Sequence, residues 1–114
     1  INFVVFRYAD VLLMLAEALG ETPESYGLIN QVRTRAGLAN ISSSTPGTFQ
    51  NKLLKERQVE LAFENHRWAD LKRFGVVNQK LLESESDVIN ANDIKDLFFI
   101  PQREMDINPN FVQN

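Results

Sequence analysis

Glu56, Arg57, Glu60 and Glu64, with Arg67, Asp70 and Arg73 just beyond them, are the residues of this chain best equipped for chemistry. Carboxylates at i, i+4 and i+8 share one helix face. On a helix from about Thr48 to Glu64, that face also carries Phe49, Leu53 and Phe63, while Asn51, Lys55, Gln58 and Ala62 gather opposite. Charges on an apolar face cost free energy unless they are paired and hydrogen-bonded. The row is therefore either a functional site or an internal ion network.

Three kinds of site can be weighed from spacing. Carboxylate-bridged metal pairs in helical bundles need Glu-x-x-His, but Phe63 stands three residues before His66, the only histidine. A glycosidase needs two carboxylates across a cleft, whereas here Arg57, Arg67, Arg73 and Arg33 lie close at hand. Carboxylates interleaved with arginine favour a structural ion network. His66 with Asp70 at i+4 has the form of a base and its orienting group, yet no serine, threonine or cysteine is near it to act as nucleophile. His66 at a helix start bonds locally, and no enzyme is expected. Glu60→Ala is expected to strand a buried arginine.

The stretch RWADLKRF alternates base and aromatic as stacking surfaces for nucleic acid do. On a helix, however, Trp68, Leu71 and Gly75 fall together, so Trp68 is expected to anchor the fourth helix on the third, its indole N–H meeting a glutamate. Carbohydrate stacking on Trp68 is the sharper alternative. Asn108-Pro109-Asn110 reads as a turn.

These residues must be positioned by helices. RYADVLLMLAEAL, residues 7–19, puts Tyr8, Leu12, Leu15, Ala16 and Leu19 on a wide apolar face and Arg7, Asp10 and Glu17 on a narrow polar strip. Gly20 stops it, and Thr22-Pro23 caps a second helix running to Ala36, with Tyr26, Ile29, Val32 and Ala36 as its stripe and Gly37 as its end. Residues 39–48 form a loop, and Thr48 caps the third helix. Asn65 offers a left-handed exit. A fourth helix spans about His66 to Phe74, with a further turn over Val76 to Leu82. Residues 83–96 are polar and surface-like. The end, Leu97 to Asn114, is expected to be an extended strap whose Phe98, Phe99, Ile100 and Phe111 lie across the helices. The fold is all-α: two helical hairpins, tetratricopeptide-like in arrangement though without that repeat's signature, and a long irregular C-terminal tail.

Length and composition set the outer bounds. The 114 residues suffice for a single domain spanning 1–114 with a real core. A formal charge of −3 opposes nucleic-acid binding, and the absence of cysteine excludes disulfides and thiol chemistry. The chain begins at Ile1 and is apolar at once, as a piece cut from a longer polypeptide would be.

Four segments in order, RYADVLLMLAEAL, INQVRTRAGL, LLKERQVELAFENHRWADLKRFG and LFFIPQREMDINPNFVQN, resemble the C-terminal part of the SusD/RagB family of Bacteroidetes. Asn65 stands where that family usually has glycine, Ala69 and Phe74 where aromatic residues are usual, Phe99 for a common proline and Leu15 for a common tyrosine. The resemblance implies a nutrient-binding lipoprotein on the outer face of the outer membrane, held by an N-terminal lipid anchor of the parent chain. It implies a TonB-dependent (SusC-like) transporter as partner and an oligosaccharide ligand bound mainly by parts absent here. No cofactor or catalytic residue follows from it, and the matched residues are those of the scaffold. The rival expectation is an independent helical module that binds a peptide or protein in a groove.

Overall fold

The computed structural model describes residues 5–82 and 97–113, with the backbone alone at 81 and 82. The expectation for residues 83–96 lies outside that range. Among the described residues all regular structure is helical: α1 (Tyr8–Leu19), α2 (Pro23–Arg35), α3 (Phe49–Glu60), α4 (Arg67–Arg73), α5 (Val77–Leu82) and α6 (Gln102–Ile107). By contacts the chain divides into two units, Ile1–Phe74 and Gly75–Asn114.

In the first unit, α1 packs chiefly on α2 and also on α3, and α3 touches α2 and α4. Leu12, Leu13 and Ala16 of α1, Tyr26, Ile29 and Val32 of α2, and Phe49 and Leu53 of α3 form the core. The Tyr26 and Phe49 rings meet edge to face, centroids 5.6 Å apart. The helix starts follow local chemistry: Thr22 Oγ1 accepts from the Ser25 N–H at 3.1 Å, and Thr48 Oγ1 from the Asn51 N–H at 3.2 Å. Gly37, at φ 74°, closes α2 with the Leu38 N–H on the Arg33 carbonyl (2.9 Å) and its own N–H on that of Thr34 (3.0 Å).

Expectations for α1 and α3 fail in this unit. Tyr8, Leu15 and Leu19 are exposed, while Leu13 and Asp10 are buried in their place. The face that α1 turns inward thus includes its polar strip, because Asp10 and Glu17 answer arginines of α3 and α4. The third helix also ends at Glu60, not near Glu64, and the chain turns through Phe63 and Asn65, at φ 66° and 65°. Arg7 supplies the reason. Its Nη2 donates to the Glu60 carbonyl at 2.6 Å, the acceptor that the Glu64 N–H would use in a longer helix; that N–H turns to the Leu61 carbonyl instead, at 3.2 Å. Phe63 consequently points fully into solvent.

In the second unit, the end of the chain is not uniformly extended. Pro101 leads into α6, a helix of six residues. Asn108 then makes the expected turn, its Oδ1 accepting from the Asn110 N–H and its carbonyl from the Phe111 N–H, both at 3.1 Å. Phe98, Phe99 and Phe111 are exposed.

Candidate functional site

The acidic row and its arginines resolve into three clusters. The most buried begins at Arg57 of α3, which is 3% exposed. Its Nη1 donates to Asp10 Oδ1 of α1 at 2.9 Å. Its Nε lies 3.0 Å from Asp70 Oδ2 of α4, too oblique for a hydrogen bond, so that contact is ionic. Arg73 continues the chain, with Nη2 on Asp70 Oδ1 (2.9 Å) and a two-pronged grip on Glu17, Nε to Oε1 at 2.6 Å and Nη2 to Oε2 at 2.9 Å. Charges therefore alternate from Asp10 through Arg57, Asp70 and Arg73 to Glu17, leaving α1, crossing α3 and α4, and returning to α1. The paired carboxylates raise the Arg73 pKa, Glu17 contributing most.

A second cluster gathers at the C-terminal end of α3. Arg7 holds Glu60 (Nη1 to Oε1, 2.8 Å) and Glu64 (Nε to Oε2, 2.9 Å), while Arg35 Nη2 bonds both oxygens of Glu60 at 2.7 Å. The hydrogen bond from Arg7 lowers the Glu64 pKa against a smaller opposing effect of burial. The third cluster is a single pair: Arg33 Nη1 donates to Glu56 Oε2 at 2.7 Å, and its Nε holds the Ala39 carbonyl at the same distance. Arg67 is set apart from these carboxylates. It reaches the Leu54 carbonyl at 3.4 Å.

The arrangement leaves little for proton transfer. Both Asp70 oxygens face guanidinium groups, so Asp70 is not free to orient His66. Glu56, Glu60 and Glu64 likewise meet arginine. Among the described residues, no three histidine or carboxylate side chains are placed to hold a metal ion. Trp68 is 46% exposed, and the buried residues of α4 are Asp70 and Leu71. The ion pairs of Asp70 with Arg57 and Arg73 turn that side of α4 inward, which leaves the indole at the surface.

A sequence profile of the SusD family matches residues 1–114. The chain belongs to the SusD family. A SusD homolog from Bacteroides thetaiotaomicron aligns structurally with a TM-score of 0.74 at 34% identity, over 96% of this chain and 26% of that one. A SusD superfamily protein from Bacteroides vulgatus aligns with a TM-score of 0.67 at 39% identity, over 91% of this chain and 25% of its own. A SusD-like protein of Formosa agariphila is 31% identical over 99% of this chain, which corresponds to 24% of that relative. The chain thus spans about a quarter of the length of these relatives.

Within this SusD-family chain, several charged partners are not evident from the central segment alone. Arg7, Asp10 and Glu17 carry a signal, a polar strip on an otherwise apolar helix, but it marks them equally well for solvent. Arg35 has no periodic signal. Lys52 is buried as well, its Nζ on the Tyr26 hydroxyl (3.2 Å) and the Ser42 carbonyl (3.0 Å), while that hydroxyl donates to Glu21 Oε1 at 2.7 Å. Burial, and then the Glu21 bond, push the Tyr26 phenol up to about 12.

Proposed function

We propose that this chain is the framework portion of a cell-surface glycan-capture protein that works with a TonB-dependent outer-membrane transporter in oligosaccharide uptake. The ligand is held mainly by parts of the longer protein outside this chain, and an N-terminal lipid anchor of that protein keeps it at the outer face of the outer membrane. It binds and does not catalyse. The observation that carries this reading is the family match over the whole chain, joined to a structural likeness at 34% identity. The ion clusters support the framework role, because each one ties two or three helices together and its carboxylates are occupied by arginine. The 1–114 span is proposed to fold as one part of that longer chain.

The test is a calorimetric titration of oligosaccharides, chosen from a glycan array, against the longer protein and against this chain. Saturable binding is expected for the longer protein, with affinity lower by at least about a hundredfold, a loss near 2.7 kcal/mol, for the chain alone. Equal affinities would place the ligand site within these residues and overturn the framework assignment. An array blank for the longer protein would overturn the capture function itself.

A further inference from the structure

We infer that the cleft between the start of α2 and the 39–48 loop is a binding site for a small neutral polyhydroxy ligand, one sugar ring in size. This goes beyond the framework reading, which leaves the main ligand to other parts of the longer protein. The cleft encloses about 400 Å³, within the roughly 300–1,000 Å³ of small-molecule sites. Its lining comes from Glu21 before α2, from Tyr26, Gly27 and Asn30 of α2, and from Ile41 and Ser43 of the loop. The loop side is fixed in advance, which lowers the cost of binding. Asn30 holds the Ile41 backbone twice, Nδ2 donating to its carbonyl at 2.9 Å and Oδ1 accepting from its N–H at 2.8 Å. Lys52 Nζ donates to the next carbonyl, that of Ser42, at 3.0 Å.

Gly27 has no explanation in the packing of the helices. It lies inside α2 without the positive φ of Gly20 or Gly37, and glycine there costs stability relative to alanine. A methyl group in its place would meet no atom within 4 Å. What a longer side chain at Gly27 would take up is the open volume of the cleft. Charge then specifies the ligand. The Tyr26 hydroxyl donates to Glu21 Oε1 at 2.7 Å and accepts from Lys52 Nζ at 3.2 Å. One anion and one cation thus meet across a single hydroxyl beside the cleft, so a ligand of either sign is attracted by one and repelled by the other. The second oxygen of Glu21 remains to accept from ligand hydroxyls, and Ser43 adds a hydroxyl of its own. Pro23 and Ile41 supply apolar surface. A sugar ring matches that mixture, with a C–H face and a rim of hydroxyl groups.

The test follows the Ile41 δ-methyl resonance of the longer protein by NMR, assigned with Ile41→Val. The probes are the neutral methyl glycosides of glucose, galactose, mannose, xylose and fucose, with glucosamine and glucuronate as charged controls. At least one neutral glycoside is expected to give a saturable shift with Kd of about 10 mM or tighter. The charged sugars are expected to bind at least about tenfold more weakly. Gly27→Leu is expected to abolish the shift with an unchanged or higher urea midpoint, and Glu21→Ala to weaken binding at least about fivefold. No saturable shift with any glycoside up to about 100 mM overturns the proposal. So does charged-sugar binding as tight as neutral, or a shift that survives both substitutions. A saturable shift together with a blank oligosaccharide array leaves this site standing and removes only the capture function.

Discussion

Arg57 is the charge on which the first unit depends most. It is almost wholly excluded from water and sits between Asp10 and Asp70, each of them 1% exposed. Arg57→Ala leaves two buried carboxylates short of their cation, and a loss of about 3–5 kcal/mol is expected. Glu60→Ala strands Arg7 and Arg35 instead, whose side chains are 31% and 62% exposed, so water takes over part of the pairing and a loss of about 1–2 kcal/mol is expected. Urea melts of the two variants check this order, and the reverse order would refute it. Glu60 and Arg57 were both legible in sequence as inward charges, but the partner of Arg57 was not, because Asp10 lies 47 residues away. Tyr26 offers a test by pH. Its folded pKa, about 12, exceeds the unfolded value near 10, so the neutral phenol favours the fold; its contribution is complete below about pH 10 and lost as pH rises toward 12. An absorbance titration at 295 nm is expected to show a late tyrosine step that Tyr26→Phe removes.

Among the elements, starts and stops set by local chemistry are legible and those set at a distance are not. Thr22-Pro23, Gly37 and Thr48 each act on residues one turn away, and the helices begin and end beside them. The end of α3 is decided by Arg7, 53 residues earlier, which takes the carbonyl that would have continued the helix. No pattern within Leu61 to Asn65 announces it, so Phe63 was assigned to the core and stands in solvent. The short α6 was missed because the prolines around it suit a strap as well as a helix start. The left-handed exit at Asn65 was legible, since asparagine tolerates that backbone, but glycine tolerates it at lower cost. Asn65→Gly is expected to raise stability by roughly 0.5–1 kcal/mol, read as a higher urea midpoint at unchanged slope. A lower midpoint would mean that the Asn65 side chain supports the turn.

At the scale of the whole molecule, the all-α class and the family are both carried by the segments that bear the ion clusters. The charges of KERQVELAFENHRWADLKRFG pair across helices, with Arg33 of α2, with Asp10 of α1 and between α3 and α4. These pairs link α1, α2, α3 and α4 to one another. The exposure of Tyr8, Leu15 and Leu19 on α1 was not legible, since sequence shows that a residue is apolar without showing which neighbour covers it. The central claim, that the acidic row is framework, is tested most directly by one Glu60→Gln variant of the longer protein, measured for both melting temperature and oligosaccharide affinity. The account predicts a melting temperature lower by roughly 2–4 °C with Kd unchanged within about twofold. A Kd weakened about tenfold or more at an unchanged melting temperature would contradict it.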